Sequence, residues 1–142
     1  MITGAIKNQV DQIWNTFWSS GVFNPLSVIE QITYLLFAKR LDELHTAKEK
    51  QANLLGESIH NPILEPQQSD LRWSYFKDFD PERKFAVFRD QVFPFIKSLN
   101  GRAVSAYTRF MKDAVFIIPN PALLDKVTNM IDAIPIHELT SR

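Results

Sequence analysis

Four basic side chains and no acidic one lie between Lys97 and Lys112: Lys97, Arg102, Arg109 and Lys112. At helical spacing Arg102, Ser105, Arg109 and Lys112 share one side, and Ala103, Tyr107, Phe110, Met111 and Ala114 share the other. A cationic stripe backed by an apolar one can follow a nucleic-acid backbone, because each cation placed near a phosphate releases condensed counterions. The same stripe is also what a solvated helix face looks like. Specific reading of a sequence would need contacts to base edges, and no residues for that stand out.

Other chemistry finds less support. Asp42 with Glu43, and Asp78 with Asp80, are the carboxylate pairs. They sit in polar stretches, so they read as solvated charge rather than as a pair with perturbed acidity. His45, His60 and His137 are isolated, with no His-Glu-x-x-His and no cysteine, so each reads as a surface residue rather than a zinc ligand. The four glycines, Gly4, Gly21, Gly56 and Gly101, are too far apart to cradle a phosphate, and no Gly-x-Ser-x-Gly elbow occurs. Without cysteine there is no disulfide framework and no thiol nucleophile. The aromatic residues, eleven Phe among them, read mainly as core. Trp18 and Phe23, beside the turn at Gly21, are the exceptions, because exposed aromatics anchor interfaces. No catalytic, cofactor-binding or metal-binding residue is assigned.

The elements that would position these residues are helical. A chain of 142 residues with 45% hydrophobic residues can bury one core, and sixteen basic residues balance sixteen acidic ones, so the whole-chain charge selects no partner. Ile6, Val10, Ile13, Trp14 and Phe17 form one helical stripe. Asn24-Pro25, Asp80-Pro81 and Asn120-Pro121 each pair a capping side chain with a proline suited to a first turn, which predicts helix starts near residues 25, 81 and 121. The helix from Pro25 to about residue 46 is apolar in nearly every direction, including Leu26, Ile29 and Leu36, and is the expected central helix. Its polar end, KRLDELHTAKEK, is expected to leave the core. Residues 55–69 read as an irregular connection, after which Leu71, Trp73, Tyr75 and Phe76 return to the core. Pro94 should kink or break the helix that starts at Asp80. A further helix is expected over 103–115, and a last one from Pro121 to Ile134. The fold class is therefore all-α, a single orthogonal or irregular bundle of about five or six helices over residues 1–142. The stretch Val28–Ala38 is interrupted by Glu30, Gln31 and Thr33 and is too short to span a membrane, and the N-terminus lacks the pattern of a signal peptide. No membrane partner and a cytoplasmic location are expected.

The stretch IWNTFWSSGVFNPLSVIEQITYLLFAKRLDEL (13–44) resembles the opening helices of the methyltransferase (M) subunit of type I restriction–modification systems. KFAVFRDQVFPFIKSL (84–99) and RFMKDAVFIIPNPALLDKVTNMIDAI (109–134) agree with it, so the resemblance covers most of the chain. Its carriers, in order, are Trp14-Asn15, Asn24-Pro25 and Lys39-Arg40-Leu41-Asp42. The resemblance implies a subunit that moves a methyl group from S-adenosylmethionine to adenine N6 in double-stranded DNA. It also implies partners: a specificity subunit, a second M subunit and in some assemblies a restriction subunit. The family's glycine-containing cofactor motif and Asn-Pro-Pro-aromatic tetrapeptide belong to a catalytic domain that follows the helical region. Asn120-Pro121-Ala122-Leu123 lacks the second proline and the aromatic residue, so it reads as a helix start. On this view the chain is a non-catalytic assembly and DNA-enclosing domain with 135–142 as a linker, and S-adenosylmethionine belongs to the parent. The rival expectation is a stand-alone helical module that binds protein and not DNA.

Overall fold

The computed structural model describes residues 4–58, 64, 66–98 and 114–134. Its elements in chain order are α1 (Gly4–Ser19), α2 (Pro25–Leu55), a 3-10 helix (Pro66–Leu71), α3 (Trp73–Phe76), α4 (Pro81–Val87), a π-helical turn (Phe88–Val92), α5 (Phe93–Ser98) and α6 (Pro121–Asp132). The architecture is all-α, with no strand among the described residues. Nor is any described helix long and apolar enough to cross a membrane.

The three expected helix starts are present. Asn24 Oδ1 accepts from the Ser27 amide at 3.1 Å, Asp80 Oδ1 from Arg83 at 3.0 Å and Asn120 Oδ1 from Leu123 at 2.8 Å. In each case the proline that follows occupies a position whose amide would have had no helical partner.

Two helix ends share a second device. At Gly21 (φ 95°) the Val22 amide donates to Phe17 O at 3.0 Å and the Gly21 amide to Trp18 O at 3.2 Å. At Gly56 (φ 68°) the Glu57 amide donates to Ala52 O at 2.9 Å and the Gly56 amide to Asn53 O at 3.3 Å. Both are Schellman turns, which need a residue at positive φ and so favour glycine. The second lets α2 run to Leu55, past the expected end near residue 46 and up to the residue where the irregular connection is expected to begin.

Pro94 neither breaks nor ends its helix. The Phe93 amide donates to Phe88 O, five residues back, and the widened turn over Phe88–Val92 carries the chain past the crowded Asp90 carbonyl. The expected helix over 103–115 lies outside the described residues except at its end, where Ala114 and Val115 are not helical. The expected 135–142 linker also lies outside them.

The core forms where α6 packs across α4, α1 and α2. Leu124, Val127 and Ile131 of α6, Phe17 of α1, Val28 and Leu35 of α2 and Phe76 and Phe88 nearer the middle of the chain are fully buried. Phe116 lies between the rings of Phe85, Phe88 and Phe93, with centroids 5.4–5.9 Å apart. Such tilted ring contacts add to the burial of apolar area. Not all of the expected core residues are inside. Val10, Leu26, Ile29 and Tyr75 are exposed and Leu36 is only half-buried. Their stripes are wider than the surface their neighbours cover.

Candidate functional site

The Schellman turn at Gly21 folds the chain back within a few residues. Val22 goes inward, and Phe23 is left outside beside Trp18. The two rings meet edge to face with centroids 5.3 Å apart and are 45% and 59% exposed. The Asn24 cap then starts α2, whose first turns expose Leu26 (65%) and Ile29 (52%), three residues apart on one helix face. Sequence reasoning found Trp18 and Phe23 but assigned Leu26 and Ile29 to the core. A signal was present. Between Asp11 and Lys39 the chain has a single charged residue, Glu30. A stretch that reaches the surface without charge, while most of the chain carries it, has the composition of an interface core.

The basic residues are placed unevenly. Arg102, Arg109 and Lys112 lie outside the described residues. Lys97, at the end of α5, is half-buried; its Nζ donates to Ala114 O at 2.9 Å and stands 5.8 Å from the centre of the Phe93 ring. Its amine therefore joins the two ends of the segment that carries the other three cations. Other cations also have partners: Lys7 with Asp11 at 3.2 Å, Arg83 with Asp70 at 3.4 Å, Arg89 with Asp90 at 2.8 Å and Lys84 with Asp125 at 2.7 Å. Lys84 is almost wholly buried, so its pairing with Asp125 ties α4 to α6.

The second half of α2 does not leave the core as expected. Lys39 is buried, and its Nζ donates to three carbonyls at the end of α6, those of Ile131 (3.2 Å), Asp132 (3.1 Å) and Ile134 (2.9 Å). The Ile131 carbonyl also accepts the Ile134 amide at 3.0 Å, and the three carbonyls lie at the negative end of the helix dipole. Burial pushes the Lys39 ammonium below its ordinary range, against the pull of the Asp132 and Glu43 carboxylates. Burial works to raise the Asp132 carboxyl, but the Trp73 indole N–H at 2.8 Å and the Lys77 amine at 3.3 Å outweigh it and hold the group low.

Asp42 corrects the reading of the Asp42–Glu43 pair as solvated. It is buried, accepting from the Arg72 Nε and from the Ser74 amide at 2.8 Å, so it fastens the start of α3 to α2. Glu43 pairs with Arg40 at 3.5 Å. Asp78 is exposed and Asp80 caps α4, so these two do not form a dyad. His45 is buried as well, against the expectation of a surface residue, while His60 and His137 lie outside the described residues. Among the described residues no group of three side chains could hold a metal ion. What these residues can do is fasten and present surfaces.

Of the three family-like signatures, Asn24-Pro25 starts α2, and Lys39-Arg40-Leu41-Asp42 supplies the side chains that hold α6 and α3 against it. Trp14 is half-buried and packs on the core. No curated protein and no solved structure gives a significant match to the chain. The family described as HsdM N-terminal domain matches residues 6–131, from the first buried residue of α1 to the last turn of α6. The chain therefore belongs to the HsdM N-terminal domain family, the helical domain of the methyltransferase subunit of type I restriction–modification systems.

Proposed function

We propose that this domain is a non-catalytic assembly module of a DNA adenine-N6 methyltransferase, and that the corner made by Trp18, Phe23, Leu26 and Ile29 is its protein contact. The observation that carries the reading is the uncharged apolar surface at that corner, with two rings already set edge to face. Pre-set aromatics lose little freedom on binding and make strong anchors. In this proposal the surface packs on another subunit of a type I complex, whether the specificity subunit, a second M subunit or a restriction subunit, in the cytoplasm. S-adenosylmethionine belongs to the parent's catalytic domain. Gly21 and Gly56 each close the end of a helix, which is not the glycine-containing loop such a cofactor needs.

Double-stranded DNA is the second contact in this reading. Arg102, Arg109 and Lys112 supply it, and Lys97 joins the ends of their segment. Reversing the charge of these three in the full complex should weaken DNA binding and flatten its salt dependence. Unchanged affinity would favour a module that binds protein alone.

The assembly reading is tested with Trp18→Ser, Phe23→Ser and Leu26→Ser together in the full-length subunit. Subunit association, followed by light scattering, should weaken by about 2 kcal/mol or more, roughly thirtyfold. The thermal midpoint of the subunit should stay put, because these side chains are exposed. Association at wild-type strength would contradict the proposal.

A further inference from the structure

His45 lies on the buried side of α2, only 6% exposed, and its Nδ1 has no hydrogen-bond partner. Its Nε2 stands 3.9 Å from the Glu49 carboxylate, too far for a hydrogen bond. The guanidinium of Arg72 occupies the same site. It donates to Asp42 through Nε and to Thr46 Oγ1 at 2.9 Å, and pairs with Glu49 at 3.1 Å. Asp42 in turn accepts the Ser74 amide, in the first turn of α3. One half-buried cation and two carboxylates thus fix the segment Arg72–Phe76 to α2, and the His45 ring fills the space beside them.

We infer that this arrangement is an acid-sensitive latch, in which a proton taken up by His45 loosens the Arg72–Phe76 segment from α2. Burying a second cation beside Arg72 is unfavourable, because the ring has lost its water and Arg72 repels it. The protonated ring also competes with Arg72 for Glu49, the more exposed of the two carboxylates. Burial first and Arg72 second push the imidazole below its ordinary range, with Lys48 adding to this and Glu49 and Asp42 opposing it. The sign follows from linkage. The folded state prefers the neutral ring, so attachment is at full strength above the ordinary histidine range and is lost as pH falls through that range.

The test is amide hydrogen exchange on the whole chain between pH 7.5 and 5.5, corrected for intrinsic exchange rates. Opening at Ser74, Phe76 and Lys77 should rise on acidification, at a slope no steeper than the tenfold per pH unit of a single proton. Amides of α4 and α6 should keep their protection, and His45→Gln should remove the pH dependence while His60→Gln and His137→Gln keep it. The inference is overturned if these amides show no acid dependence, if His45→Gln retains it, or if α4 and α6 open in step. Should His45→Gln not fold, an NMR titration of the wild type decides: the His45 ring and the Ser74 amide must share one midpoint, and separate midpoints refute the latch.

Discussion

The two halves of α2 do different work with different chemistry. From Pro25 to Ala38 the helix carries one charge, Glu30, yet it puts Leu26 and Ile29 into solvent. From Lys39 to Lys50 it is crowded with charge, yet it buries Lys39, Asp42 and His45. The usual rule of apolar inside and charged outside is broken in opposite directions along a single helix. Buried charges of this kind need partners, and each cation and carboxylate here has them. Exposed apolar side chains that lie together mark a surface that expects another protein. The contrast places the polar fastening near the middle of the helix, at Lys39 and Asp42, and the proposed external contact at its first turns.

The sharpest way to break this contrast is to place the same substitution in both environments. Leu35→Asp should unfold the domain, since Leu35 is fully buried and an unpaired charge there costs several kcal/mol, whereas Leu26→Asp should leave the thermal midpoint nearly unchanged. Equal effects would erase the distinction. Asp42→Ala comes next, at about 3 kcal/mol by denaturant unfolding, because it takes a buried acceptor from the Ser74 amide and from the Arg72 guanidinium, which keeps only Thr46 and Glu49. Lys39→Met should cost about 1–3 kcal/mol by removing the donor to three helix-end carbonyls. The smallest effect is that of Asn24→Ala, about 1 kcal/mol, because one capping bond is lost from a helix held elsewhere. A loss for Asn24→Ala that exceeded the one for Asp42→Ala would invert the account of where α2 is fastened.

Much of the fold was legible because its signals are local. The Asn-Pro and Asp-Pro caps and the Pro94 disturbance depend on residues within one helical turn, and the structure shows the three caps and a π turn at the place of strain. Gly56 carried the same kind of signal for the end of α2. What was not legible depends on residues distant in sequence. Asp42 reads as a solvated acid until Arg72, thirty positions later, is laid across it, and Lys39 reads as a helix-surface cation until the end of α6 reaches it. Leu26 and Ile29 fit a helical core stripe equally well, and only the position of the other helices shows that nothing among the described residues covers them. Of the candidate site, Trp18 and Phe23 were found because a glycine turn beside two aromatics is itself a local pattern.

The most direct measurement of the central claim is hydroxyl-radical footprinting of Trp18, Phe23 and Leu26, in the isolated full-length subunit and in the assembled complex. The account predicts strong oxidation of all three in the free subunit and marked protection on assembly, with Tyr75, an exposed residue away from the corner, oxidised to the same extent in both states. Equal oxidation of Trp18, Phe23 and Leu26 before and after assembly would contradict it.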